Sequence, residues 1–200
     1  MTKPRCVQSD SSDSCCKDST IYSDLEELVD SFKLKYFCIL ERELDHYKGI
    51  SFDEAIKRAA KVEVIANKKH PHQYRIKQTA IYNMSIALQK AHKEQVFFGI
   101  DSFEKLHEKV HATISDIHGV GELTVYDTAV RIGVCLGLEP TQVYLHRGTK
   151  EGARYLLPKI KNLKKIDKAE FPQALWNLSE DMIESLLCIY KDQLEKLDSV

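Results

Sequence analysis

The sequence predicts an all-α protein, in which a single compact multi-helix domain follows a disordered N-terminal tail. Three observations indicate helices. Apolar residues recur at three- and four-residue spacing, Ser or Asp precedes several of these stretches as a helix cap, and the 200 residues hold only eight Gly and five Pro, few for a turn-rich β fold. No alternation of polar and apolar residues continues long enough to predict a sheet.

The expected elements follow in order along the chain. Residues 1–20 hold clustered Ser, Asp, Cys and Lys without apolar periodicity, so we expect a disordered tail there and an all-α domain over residues 21–200. In that domain the first two expected helices start at the capping boxes Ser23–Glu26 and Ser51–Glu54, and the third covers about 73–91. The fourth starts at the capping box Asp101–Glu104, and the fifth covers about 123–136. Shorter pieces are expected around 141–145 and 149–157, and the last helix runs from its cap Ser179 to Leu194. The first of these helices should end near Gly49, and Trp176 is expected to anchor the core of the last ones.

The charge balance excludes a polycation. Lys and Arg number 29 and Asp and Glu number 30, which gives a net charge of -1. Affinity for a nucleic acid must therefore come from local patches, and residues 57–77 and 159–168 are rich in Lys and Arg. The last helix is acidic and carries Glu180, Asp181, Glu184, Asp192, Glu195 and Asp198.

Hydropathy and cysteine usage predict a cytoplasmic protein with no membrane partner. No run approaches 18 apolar residues, and the first residues lack the apolar centre of a signal peptide. The six cysteines are expected to stay reduced. They form no CxxC pair, so no thiolate metal site is expected, and we expect no cofactor.

The most informative segment runs from Ile114 to Thr124, which combines the end of an apolar helix, a turn over Gly119, Val120 and Gly121, and the start of a new helix. One glycine allows a positive φ, and both let a phosphate approach the backbone because no Cβ lies in the way. The amides that follow, through Leu123 and Thr124, open a helix and present N–H groups to an anion. The turn therefore predicts a phosphate-binding site, with Val120 packed inward.

This pattern resembles the helix-hairpin-helix module of DNA-binding proteins over about 25 residues, from Lys109 to Ile132. It is distantly similar to the helical DNA glycosylase superfamily, but Leu123 stands where bifunctional members have a catalytic Lys, and Tyr144 where they have a catalytic Asp. The resemblance therefore implies DNA binding without glycosylase chemistry. The segment GVGELTVYDTA is also similar to a group of bacterial proteins without an assigned biochemical role.

Basic residues after the fifth helix extend the expected phosphate-binding surface, and Asp127 with Arg131 is expected to form an i,i+4 ion pair. Contacts to phosphates carry little sequence information, so we expect non-sequence-specific DNA binding rather than catalysis. The expected DNA-binding residues are Gly119, Val120, Gly121, Leu123, Thr124, His146, Arg147, Lys150 and Arg154.

Two alternatives stay open. The first is a protein–protein interaction or assembly module, in which the hairpin is structural and the acidic last helix docks a partner. The second is a zinc hydrolase, because His107-Glu108-Lys109-Val110-His111 matches H-E-x-x-H. A catalytic zinc needs a third protein ligand, and the extended motif has Ile117 where it needs His. His118 and the distant Glu139 are the remaining candidates.

Overall fold

The computed structural model describes residues 20–64, 68–69, 76–157, 159–160 and 163–197. This part of the chain is all-α, as the sequence predicts. The helices are α1 (Leu25–Phe32), α2 (Cys38–Asp45), α3 (Phe52–Ala60), α4 (Gln78–Lys93), α5 (Phe103–Ile114), α6 (Glu122–Leu136), α7 (Arg147–Leu156), α8 (Glu180–Ile189) and α9 (Lys191–Leu197). A π-helical turn, Lys33–Phe37, joins α1 to α2, and 3₁₀ turns cover Lys168–Glu170 and Gln173–Leu175.

Two antiparallel pairs of very short strands accompany the helices. β1 (Glu63–Val64) pairs with β2 (Lys68–Lys69), and β3 (Val143–Tyr144) pairs with β4 (Lys165–Ile166). Strands of two residues are too short to give an alternating pattern, which is why the sequence does not predict them. The second pair matters for the site, because it fixes part of the second lysine-rich segment beside the start of α7.

Two helix starts lie one residue later than the expected caps. α1 is capped by Asp24, whose carboxylate accepts the backbone N–H of Glu27 at 2.9 Å, and not by Ser23. α5 is capped by Ser102 and not by Asp101. In both places two adjacent residues are good N-caps, so the pattern alone does not decide between them.

Other boundaries agree more closely with the prediction. The hydroxyl of Ser51 caps α3 by accepting the N–H of Glu54 at 3.3 Å, as expected, and α6 covers the predicted fifth helix. The first helical segment ends at Asp45, earlier than expected. The last helix is broken at Tyr190, so α8 and α9 are separate elements. The expectation for Trp176 is wrong, because its side chain is 47 % exposed.

The buried apolar residues form two packed groups. One lies among α3, α4, α5 and α6 and includes Met84, Leu106 and Ile132. The other joins α1 with α7, α8 and α9 and includes Phe32 and Leu186. α6 packs along α5 and α3, so its first turn lies at the surface while its later turns are anchored in the first group.

The described cysteines depart in part from the expectation of reduced thiols. Cys135 and Cys188 carry free thiols, whereas Cys38 is disulfide-bonded, so the expectation is wrong for Cys38. Within the described ranges, no helix has the length and apolar character needed to cross a membrane.

Candidate functional site

The turn between α5 and α6 has the backbone that its glycines predict. Gly119 has a φ of +92°, in the left-handed region that favours glycine. The N–H of Val120 donates to the carbonyl of Ile117 at 2.9 Å, and the half-buried Val120 side chain packs against the core of the first group, as expected. Gly119 and Gly121 are both exposed. The turn therefore lies open to solvent on its glycine side.

The start of α6 is uncapped. Gly121 is its N-cap in an extended conformation, and no side chain accepts a hydrogen bond there. The amide N–H groups of residues 121–124 have no acceptor in the described part of the chain. A Cβ at Gly121 would meet no atom within 4 Å. These open donors, together with the helix dipole, favour an anion at this position.

Two further elements bring lysines to the turn. A Cβ at Gly119 would lie 3.5 Å from the Cβ of Ala80 in the first turn of α4. Lys77, the exposed N-cap of α4, is therefore close to the turn. On another side, the ammonium of Lys164 lies 3.5 Å from the carboxylate of Glu122, the first residue of α6.

The short β3–β4 ladder ties α7 to the same region. The N–H of Leu145 donates to the carbonyl of Lys164 at 2.8 Å, and α7 begins two residues later with Arg147. The Arg147 side chain is 97 % exposed and lies 3.8 Å from Glu151. Lys164, which was not among the expected site residues, thus lies at the start of α6, and the ladder joins it to the segment that leads into Arg147. Lys150, which is half-buried, and Arg154, which is exposed, lie further along α7.

Two of the expected DNA-binding residues do not face solvent. Thr124 is 7 % exposed and His146 is 8 % exposed. The backbone carbonyl of Thr124 accepts the hydroxyl of Thr128 at 2.7 Å. Burial lowers the pKa of His146 to about 4, so its ring is neutral at physiological pH. The burial of the Thr124 side chain leaves its expected role unchanged, because that role belongs to its backbone N–H, whereas the buried neutral ring of His146 offers a phosphate no charge.

His146 belongs to a row of packed rings. The ring centroids of His107 and Tyr144 lie 4.8 Å apart, those of Tyr144 and Tyr126 lie 4.9 Å apart, and those of Tyr126 and His146 lie 4.9 Å apart. Burial, reinforced by the nearby Lys165, lowers the pKa of His107 to about 4. The hydroxyls of Tyr126 and Tyr144 and the Nε2 of His146 are buried without a partner in the described structure.

The H-E-x-x-H segment lies on α5, but it does not assemble a three-ligand site. The ring centroids of His107 and His111 are 6.4 Å apart, and the half-buried His107 ring packs at a tilt of 52° against Tyr144. No three His, Cys, Asp or Glu side chains within the described ranges come together so as to hold a metal ion. The described geometry therefore gives the zinc-hydrolase alternative no third ligand.

The acidic residues of the last helix do not form one surface. Glu184 is buried and accepts the hydroxyl of Thr149 at 2.6 Å, and Glu180 lies 3.3 Å from the ammonium of Lys168. Asp181 lines a cavity. Asp198 falls outside the described residues, as does much of the first lysine-rich segment.

That cavity was not predicted from the sequence. It lies between α2, α6 and α8 and has a volume of about 90 Å³. We call it the acidic cleft, and its polar lining includes Glu43, Tyr126, Asp127, Arg131, Asp181 and Glu184. Burial raises the pKa of Glu184 to about 8, so this carboxyl is largely protonated at neutral pH. The only sequence signal was an acid among the apolar positions of the last helix.

Comparisons with known proteins add no assignment: no family model, no curated protein and no solved structure matches this chain.

Proposed function

We propose that this protein binds DNA without reading bases, by holding backbone phosphates on the amides that open α6. The observation that carries the proposal is the uncapped start of α6 behind two exposed glycines. Unpaired N–H groups at a helix start are a ready site for a phosphate. Three helices, α1, α3 and α5, satisfy such groups with the side chains of Asp24, Ser51 and Ser102. The starts of α4, α7 and α8 also lack a side-chain cap, but no glycine turn precedes them.

Cationic side chains around this start support the proposal. Lys164 lies against the first residue of α6, Lys77 lies at the neighbouring start of α4, and Arg147 is the first residue of α7, which follows β3 in the chain. Lys150 and Arg154 extend this cationic edge along α7. Several lysines and arginines around a set of backbone donors suit a polyanion better than a single small anion, because each neutralised phosphate adds to the binding.

The proposed activity is binding and not base excision. Leu123 is apolar and lines the acidic cleft, and the Tyr144 ring packs between His107 and Tyr126. Neither position supplies the amine or the carboxylate that a bifunctional glycosylase needs. Phosphate contacts fix the position of a duplex and carry no sequence information, so the protein should bind unrelated duplexes equally well.

The test is the substitution Gly121→Ser. The extended backbone of Gly121 accommodates serine, and the space for a side chain is open. The new hydroxyl would accept the amides that the proposal assigns to phosphate, so α6 should become slightly more stable while DNA affinity falls. Losing charge-assisted hydrogen bonds to a phosphate should weaken binding about tenfold. Fluorescence anisotropy with a labelled duplex measures the affinity, and thermal melts measure the stability.

The matched control is Ser51→Gly, which uncaps α3 in a part of the chain that lacks the glycine turn. It should lower stability and leave DNA affinity unchanged. If Gly121→Ser stays folded and binds DNA as tightly as the parent, the turn is a structural connection and the proposal is wrong. The interaction-module alternative would then take its place.

A further inference from the structure

The H-E-x-x-H segment contains a pair of histidines that the proposed function does not use. His107 and His111 are four residues apart on α5, so their side chains lie on the same face of that helix. An imidazole nitrogen binds a metal ion at about 2.1 Å, which puts the ring centroid about 3.3 Å from the ion. The two centroids are 6.4 Å apart, and one ion between the rings is therefore within reach of both.

The helix and its neighbours hold one member of the pair in place. The core side of α5 is anchored by the buried Phe103, Leu106 and Val110. The half-buried His107 ring packs on Tyr144, with 4.8 Å between the ring centroids. His111 is exposed and can rotate toward His107. Binding an ion therefore costs the rotamer freedom of one histidine rather than two.

The ring nitrogens of this pair are open to a ligand. Within the described ranges, neither His107 nor His111 forms a hydrogen bond through its ring. The Nε2 of His146 is enclosed without a partner, whereas no nitrogen of the pair is enclosed in this way. One nearby charge opposes a cation, because the ammonium of Lys165 lies 5.0 Å from the centroid of the Tyr144 ring on which His107 packs.

The number of ligands narrows the class of metal ion. No third His, Cys, Asp or Glu joins the pair in the part of the chain that the structure describes. Protein zinc sites have three or four protein ligands, whereas Ni²⁺ and Cu²⁺ bind imidazole well and accept tetragonal sites of mixed nitrogen and oxygen ligands. Mg²⁺ prefers oxygen ligands, so a pair of imidazoles discriminates against it.

We propose that His107 and His111 together bind one Ni²⁺ or Cu²⁺ ion on the surface of α5, with water molecules as its remaining ligands. The site binds the ion and is not a hydrolase centre, so Glu108 has no part in it. The proposal goes beyond DNA binding and does not depend on it, because neither histidine belongs to the surface assigned to phosphate.

The experiment compares two divalent ions. Nickel chloride and magnesium chloride are each titrated into the full chain at pH 7.5 in a buffer that does not chelate metals, while amide resonances are followed by NMR. Paramagnetic Ni²⁺ should broaden the resonances of residues 107–111 in a saturable way, and Mg²⁺ should leave them unchanged. His107→Asn and His111→Asn should each weaken nickel binding at least about tenfold, because losing a ligand costs no less than losing a group that supports one.

Three matched variants sharpen the test. His118→Asn removes an exposed histidine outside the pair, and Glu108→Gln removes the carboxylate that a hydrolase would need. Both should bind nickel as the parent does. Lys165→Gln should bind it more tightly, because the opposing charge is gone.

His111 is exposed, so its replacement should leave the fold intact, and thermal melts check this. Broadening that is confined to residues outside α5, equal effects of the two ions, or parental affinity in both histidine variants would overturn the proposal. DNA titrations of His111→Asn without metal should match those of the parent. A failure of the metal site is therefore distinguishable from a failure of the proposed function.

Discussion

At the scale of the residue, Gly119 and Gly121 stand two positions apart in one turn and have different reasons to be glycine. Gly119 has a φ of +92°, where a Cβ is unfavourable whatever the space around it, and the nearest atom to that Cβ would be at 3.5 Å. Gly121 has an ordinary extended backbone and open space. The first position is therefore constrained by conformation, whereas the proposed function constrains the second, because a phosphate would approach the backbone there.

Gly119→Ala is accordingly expected to cost about 1 kcal/mol of folding stability, because alanine pays for the left-handed conformation and glycine does not. Urea unfolding measures the free energy. Since the added Cβ meets Ala80 only at ordinary contact distance, the unfolding slope should stay the same. A variant as stable as the parent would mean that the turn relaxes to a negative φ without loss.

At the scale of the element, the contact between α7 and α8 depends on the absence of a side chain. A Cβ at Gly152 would lie 2.1 Å from the backbone carbonyl oxygen of Leu187, whereas one at Gly148 would lie 2.9 Å from the Sγ of Cys188. A carbonyl in a helix cannot move aside, but a cysteine side chain can rotate. The two glycines share one face of α7, and only Gly152 fixes the distance between the helices.

Gly152→Ala is expected to destabilise the protein by about 3 kcal/mol, because the helices must separate to admit the methyl group. Gly148→Ala is the matched comparison and should cost clearly less. Chemical unfolding of both variants measures the difference. Equal costs would contradict the view that the Leu187 backbone sets the packing distance.

Elements also show what the sequence can and cannot predict. The spacing of apolar residues correctly predicts α6, and Ser51 correctly predicts the start of α3. The starts of α1 and α5 are missed by one residue because two capping residues stand side by side. The break at Tyr190 lies inside continuous apolar periodicity, so only the packing of α8 and α9 reveals it.

At the scale of the whole molecule, the glycine turn is a local pattern and could be read from consecutive residues, whereas the acidic cleft could not. Its lining comes from α2, α6 and α8, and 76 residues lie between the end of α2 at Asp45 and the start of α6 at Glu122. The burial of His146 likewise depends on Tyr126 and Tyr144 packing around it. Long-range packing of this kind leaves no periodic signal in the sequence.

Buried titratable groups give the whole molecule a stability optimum. Burial lowers the pKa of His107 and His146 from 6.5 to about 4. The contribution of these neutral rings to folding stability is therefore complete above pH 6.5 and is lost as the pH falls toward 4. Burial raises the pKa of Glu184 from 4.5 to about 8, so its contribution is complete below 4.5 and is lost as the pH rises toward 8. Below pH 6.5 the two histidines change the folding stability more than the one carboxyl does. Above pH 6.5 only the carboxyl of Glu184 changes it.

Stability is therefore expected to peak at about pH 6.5. Glu184→Gln keeps an oxygen that can accept the Thr149 hydroxyl and removes the ionisation. In this variant the decline between pH 6.5 and 8 should disappear, while the decline below 6.5 remains. Urea unfolding across pH 4.5–8.5 checks both limbs. An unchanged alkaline limb in the variant would contradict the assignment to Glu184.

The salt dependence of DNA binding tests the central claim most directly. Anisotropy titrations of a random-sequence duplex between 50 and 200 mM salt should give a steep linear fall of log K against log salt, because bound phosphates release counterions. Lys164→Gln and Arg147→Gln should each reduce the slope by about one. Lys90→Gln, about 18 Å along α4 from its start, should leave the slope unchanged. A salt-independent affinity, no binding at low salt, or the same slope in all variants would contradict the account.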